Sequence, residues 1–211
     1  RGIDPGRITK YLILHSHFDH CGAVPPIQRK FPWVNAVASN RTRELFAKEK
    51  VIKFIREMND NMIEAHGTER SAEDIDLDIH ELKVDIAVGE GDIIDLGDGV
   101  TVEIIEVPGH SSCSIAGYAL PHRAMFASDA GGIPNHQDVI YPSGNEDFIL
   151  YQRSLEKLKK LPAEIHCAAR YGAYTGEEGR GYIERSIKAA KDFRQQVIDS
   201  FVQGSDQERL T

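Results

Sequence analysis

Basic residues are in the minority in this 211-residue chain: 25 lysines and arginines face 33 aspartates and glutamates, for a formal net charge of −8. That deficit argues against a nucleic-acid partner, because a polyanion selects for basic surface. Long apolar runs are also missing. No stretch approaches the roughly 18 consecutive apolar residues that a membrane helix needs, so a soluble protein with no membrane partner is expected. No basic segment followed by an apolar stretch and a cleavage site marks a secretory leader. The chain opens on Arg1 rather than Met, which suggests that a segment upstream has been cut away. Cysteine is scarce, at three residues that cannot all pair internally, and this points to a reducing, cytoplasmic setting. Repeats and low-complexity linkers are absent too. The length suits one domain, 1–211, with a sizeable core.

What is present alternates between strand-like and helix-like segments. TKYLIL (9–14) and VNAVAS (34–39) are short aliphatic runs bounded by turn residues. Asn40 is a candidate cap for a long helix starting near Thr42, with Val51, Ile55, Met58 and Met62 on one face. The polar, acidic stretch 64–81 reads as a loop or lid. From Val84 onward VDIAV, DIIDL, VTVEIIEV, SIAGYAL and RAMFAS read as strands, with a hairpin turn at Gly97–Asp98–Gly99. A helix over 147–161, a strand at AEIHCA (163–168) and a last amphipathic helix with Ile183, Ile187, Ala190, Val197 and Phe201 in one stripe complete the α/β pattern.

The segment HSHFDH (15–20) packs three histidines and an aspartate into six positions, directly after Leu12, Ile13 and Leu14. In an extended chain, residues two apart point to the same side, so His15 and His17 face one point at the end of a buried strand. Asp19 continues that alternation, whereas His20 breaks it. Ligand-type residues split between two directions suggest two cations side by side rather than a single cage. Imidazole and carboxylate suit zinc, iron or manganese.

HSHFDH resembles the H-x-H-x-D-H signature of the metallo-β-lactamase superfamily. VPGHSSCS (107–114) and MFASDAGG (125–132) resemble that family's third and fourth motifs, in the same order. The resemblance implies an αββα four-layer sandwich with a dinuclear site on loops along one edge. It further implies that His15, His17 and His110 hold the first metal, and that Asp19, His20 and Asp129 hold the second, with Asp129 bridging both. Two divalent ions, zinc ahead of iron, would share a water and lower its pKa toward neutrality. Asp19 would orient that water or relay its proton.

The chain departs from the family pattern twice. Where the family supplies a further histidine from a Gly-His-Gly-like loop, AARYGAYTGEEG (168–179) offers Tyr171, and His166 lies five residues earlier inside a strand. Three roles compete: Tyr171 as a phenolate ligand, Tyr171 as an oxyanion donor lining the pocket (the favoured one), and His166 as an additional ligand after a loop adjustment. Arg170 is the candidate for meeting an anionic substrate, whereas Arg41 and Arg43 read as ordinary surface charge. The second departure is that only fourteen residues precede His15, where the family has a hairpin-rich segment. The sandwich is thus expected to be N-terminally incomplete, with an apolar edge that a homodimer is one way to cover. Cys21, Cys113 and Cys167 sit beside the motifs and read as small apolar packing, Cys21 being the one to test for influence on the second metal. The expected function is a metal-dependent hydrolase acting on an ester, thioester, lactone or amide of a small molecule. The alternative is a di-iron redox protein of the same fold. A binding protein that kept the fold and lost turnover is argued against by the intact set of six ligands.

Overall fold

The computed structural model describes residues 4–65 and 79–202, so most of the acidic 64–81 stretch lies outside the described residues. Two sheets carry the fold. β1 (Lys10–Ile13), β2 (Asn35–Ser39) and β3 (Ile86–Val88) pair in parallel in that order. β4 (Ile93–Gly97), β5 (Val100–Glu106), β6 (Ile115–Leu120) and β7 (Ala124–Phe126) form an antiparallel meander. A separate two-stranded ribbon joins β8 (Ile133–Pro134) to β9 (Ile140–Tyr141). The meander is extended beyond β7 by β10 (Ile165–Cys167), which runs parallel to it, and then by β11 (Ala173–Tyr174). At the β4–β5 turn both Asp98 and Gly99 take positive φ, 52° and 77°, the primed geometry that matches strand twist.

The helices are α1 (Phe18–Cys21), α2 (Val24–Lys30), α3 (Asn40–Phe46), α4 (Glu49–Ala65), α5 (Phe148–Leu158) and α6 (Gly176–Val202). Period-two alternation decides which face each strand residue serves. Val37 of β2, Val102 and Ile104 of β5 and Ile115 of β6 meet between the two sheets, with Leu12 and Leu14 packed against them. On the outer face of the first sheet, Ile13, Ala36 and Ala38 pack with Ile52 and Ile55 of α4. On the outer face of the second, Ile105 and Met125 pack with Tyr151 and Leu155 of α5 and with Tyr182 and Ile187 of α6. The result is four layers, helix–sheet–sheet–helix, as the family resemblance implied.

Several details differ from the sequence reading. The long helix is two helices, because the chain turns at Ala47 and Lys48 between α3 and α4, and the cap is the Ser39 hydroxyl accepting from Thr42 N–H rather than Asn40. Met62 and Phe201 lie on the predicted apolar stripes but are exposed. One feature positions the functional side chains. The Ile115 N–H donates to Leu14 O at 2.9 Å, tying the end of β1 to the start of β6. His15 therefore lands against the loop that carries His110.

Candidate metal centre

His15 is the second residue beyond β1 and is 1% exposed. His17 then caps α1: its carbonyl accepts from His20 N–H at 3.0 Å and Cys21 N–H at 3.1 Å. The chain thus stops being extended at His17, and Asp19 and His20 are set by a helical turn instead of by strand alternation. From the second sheet, His110 arrives on the loop between β5 and β6. That loop packs tightly because Gly109 has φ +128° and approaches α5 so closely that a Cβ there would sit 2.2 Å from Tyr151 N. Gly109 O in return accepts from Glu146 and Asp147 N–H, which ties the loop to the start of α5. Asp129 follows β7 on a 3-10 turn entered through Ser128, a non-glycine residue at φ +49°, a strained conformation of the kind that accumulates at functional sites.

Three imidazole nitrogens converge. His110 Nε2 lies 3.2 Å from His15 Nε2 and 3.0 Å from His17 Nδ1. The other nitrogen of His110, Nδ1, donates to Ser143 O at 2.8 Å, with Ser143 Oγ also at 2.7 Å. That assignment leaves Nε2 as a lone pair facing the two other rings. Burial holds the ring pKa values down: His15 is pushed to about 2, first by desolvation and then by its neighbours His20, His110 and His17. His17 and His110 are lowered as well, again chiefly by burial. Three ring nitrogens this close together suit a shared cation, for their spacing is close to the roughly 3.3 Å edge of a tetrahedron of nitrogens about 2.0–2.1 Å from zinc.

Beside this group lies a second, made of His15, His20 and Asp129. Asp129 Oδ2 sits between the two sets, 3.4 Å from His20 Nε2, 3.7 Å from His110 Nε2 and 4.0 Å from His15 Nε2. Burial alone would raise the Asp129 carboxyl, but the adjacent His20, His15 and His110 rings pull it below its ordinary value. Its Oδ1 is buried and has no hydrogen-bond partner among the described residues. A buried carboxylate oxygen without a donor, next to imidazole lone pairs, is a donor set that fits a divalent cation.

The other predicted residues fall in different places. Asp19 Oδ2 accepts from Arg170 Nη2 at 2.7 Å and lies 3.4 Å from His20 Nε2, so it borders the second group without joining either cluster. Tyr171 is 65% exposed at φ +64° and belongs to neither cluster. His166 is buried in β10, its ring stacked on Tyr182 at 3.7 Å, and it also stands outside both clusters. Arg41 pairs with Glu44 and Arg43 reaches Asp85 O, the surface roles expected of them. Cys21 and Cys113 pack under the HSHFDH turn against Ser16, and burial pushes the Cys21 thiol up to about 12. Ser143, which fixes His110, went unnoticed in the sequence because it lies 33 residues away with no motif around it. Ser128, 3.4 Å from His15 Nδ1 and 3.5 Å from His20 Nδ1, had a signal in its place just before Asp129.

A hollow of about 360 Å³ opens beside the cluster, walled by His17 and Asp19 on one side and by Leu45, Val51, Phe54 and Met58 on the other. A larger one of about 430 Å³, beside Ile27, Phe31 and Asn59, borders none of the cluster residues. No helix among the described residues is long and apolar enough to cross a membrane.

Comparison with known proteins agrees with this geometry. The chain is 24% identical over 172 residues to a hydroxyacylglutathione hydrolase of Rhodopseudomonas palustris (strain BisB5), a match covering 79% of this chain. It spans about half, 50%, of that relative's length. Among solved structures, an archaeal metallo-beta-lactamase superfamily protein from Sulfolobus tokodaii superposes with a TM-score of 0.63 at 19% identity, covering 85% of this chain and 66% of the other. A metallo-beta-lactamase family protein from Thermus thermophilus gives 0.62 at 17% identity, covering 89% and 62%. A family model described as the metallo-beta-lactamase superfamily matches residues 1–170, a span that contains every residue of the two clusters. With its motif histidines gathered where two sheets meet, the chain belongs to the metallo-β-lactamase superfamily.

Proposed function

We propose that the chain is a metal-dependent hydrolase that cleaves an ester, thioester, lactone or amide bond of a small molecule, with zinc as the cation its donor set favours. The observation that carries this reading is the convergence of His15, His17 and His110 ring nitrogens on one point. A first divalent cation would be held by those three rings and a second by His20 and Asp129, with Asp19 at its edge. Such a cation supplies Lewis acidity, making a water nucleophilic near neutral pH and stabilising negative charge on the attacked oxygen.

The chain's own residues do the rest. Asp129, ionised and lying between the two groups, fixes their relative position. Ser143 keeps His110 in the tautomer that presents Nε2. Asp19, partly exposed and beside His20, orients the attacking water and takes its proton. The apolar wall of Leu45, Val51, Phe54 and Met58 accepts the hydrocarbon part of the substrate and keeps water from it. The name of the curated relative supports an acyl-group hydrolysis and puts thioesters first in a substrate panel.

The test is metal quantification on purified protein, followed by thioester, lactone and phosphodiester assays with and without added zinc. Zinc-dependent turnover of an acyl substrate is expected, and His17→Ala and Asp129→Asn should each lower it by about three orders of magnitude, the upper range for loss of a preorganised electrostatic stabiliser. Full activity in both variants would overturn the mechanism. So would a coloured, iron-loaded protein that hydrolyses nothing and oxidises thiols, which is the outcome the di-iron alternative requires.

A further inference from the structure

We propose that the Arg170 guanidinium is a built-in competitor for the second cation, so that the chain holds one cation tightly and a second only when Arg170 lets go of Asp19. The inference rests on the metal-centre reading above and specifies how unequal its two positions are.

Three observations carry it. First, the two clusters share His15, and the first is a complete set of three nitrogens with it. Once His15 serves the first position, the second retains His20 and Asp129, fewer than the three protein ligands of ordinary catalytic zinc sites. Second, the carboxylate that would make up the number is engaged: Arg170 Nη2 donates to Asp19 Oδ2 at 2.7 Å, while the same oxygen stands 3.4 Å from His20 Nε2. A permanent, planar cation matched to a carboxylate thus lies beside the second cluster. Third, the loop that delivers Arg170 brings no replacement ligand. Tyr171 projects into solvent on a left-handed backbone, and the His166 ring is committed to Tyr182.

The pair is not locked. The Arg170 side chain is 46% exposed and that of Asp19 31%, so the bond is the weak kind that solvent screens. A dication at sufficient concentration displaces the guanidinium into solvent. At lower concentrations Arg170 keeps the positive charge at Asp19 and leaves a hydrogen-bonding cation at the mouth of the centre, where an anionic group of a substrate would meet it.

Zinc alone tests this, with the full chain and no substrate. Titration against a chromophoric chelator should show one tight equivalent and a second at least about tenfold weaker. Arg170→Gln should tighten the second about tenfold and leave the first unchanged, Arg170→Lys should keep the second weak, and Asp19→Asn added to Arg170→Gln should abolish the gain. Arg170 lies on an exposed loop, and a circular dichroism spectrum confirms that each variant is folded. Two equivalents of equal affinity in the wild type, or an Arg170→Gln variant whose second site is unchanged or weaker, would refute the proposal while leaving the hydrolase reading intact. Absence of any zinc binding would defeat both.

Discussion

His166 should make the protein acid-sensitive in a way that metal binding does not explain. The ring is 1% exposed, stacked on Tyr182, and neither nitrogen has a hydrogen-bond partner among the described residues. Burial first, and then the nearby Arg185 charge, push its pKa from 6.5 to about 3. In the unfolded chain the ring takes up its proton near pH 6.5, while in the folded chain it resists. Between those values the unfolded state holds the extra proton, so stability is lost as pH falls, by about 1.4 kcal/mol per unit. From pH 7.5 to 5.0 the loss is about 2 kcal/mol, because it begins only near the unfolded value. The figure is insensitive to how low the folded pKa lies, provided that it stays well below 5. Urea unfolding of chelator-treated wild type and His166→Phe at both pH values measures it. Both proteins share the histidines of the metal centre, and the packing cost of the larger ring is the same at each pH, so the difference in slope isolates His166. Wild type should lose about 2 kcal/mol more than the variant. Equal losses in the two proteins would show that the buried ring is not held neutral.

Two further outcomes follow from the loop that carries His110. Gly109→Ala puts a Cβ within 2.4 Å of both Tyr151 N and Cα at φ +128°, and backbone atoms cannot step aside as a side-chain tip can. A cost of about 3 kcal/mol or more, hence a fall in Tm of roughly 6–12 °C, is expected along with at least tenfold weaker zinc binding; an unchanged melting curve would contradict the close-approach argument. Ser143→Ala removes the hydroxyl 2.7 Å from His110 Nδ1 but keeps the carbonyl at 2.8 Å. Zinc affinity should fall by about tenfold or less with the melting temperature of the metal-free protein nearly unchanged, as measured by chelator competition.

The α/β alternation was legible in local spacing, whereas the four layers and the attention drawn to His110 and Asp129 came from the resemblance of three motifs to the family. The apolar run Leu12–Ile13–Leu14 points to a buried strand ending at the histidines, and the structure then sets Ile13 on one face and Leu12 and Leu14 on the other. His15 and His17 were correctly read as facing one point. Asp19 does not continue their alternation, because the turn of α1 replaces it at Phe18 and nothing in HSHFDH marks where the extended chain stops, whereas His20 does aim elsewhere, into the second group. The ribbon of β8 and β9 and the strand β11 are two residues long, too short to carry a period. The exposed Phe201 shows the opposite failure: an apolar stripe persists in α6 beyond the part of the helix that has a sheet beneath it. The Arg170–Asp19 pair joins residues 151 positions apart, and only the folded chain brings them together.

The hydrogen bond from Ile115 to Leu14 has a mechanical side. It is the hinge pin at which one half of the sandwich, bearing His15, His17 and His20, meets the other, bearing His110 and Asp129. An ion gripped from both halves would act as a rivet through that seam, making cation affinity and the cohesion of the two sheets one coupled quantity. Whatever pries the sheets apart would loosen the ion, and withdrawing the ion would leave the seam to its apolar filling and to the polar contacts that cross it, among them Ile115 N–H to Leu14 O, Ser39 Oγ to Cys113 O and Arg170 to Asp19.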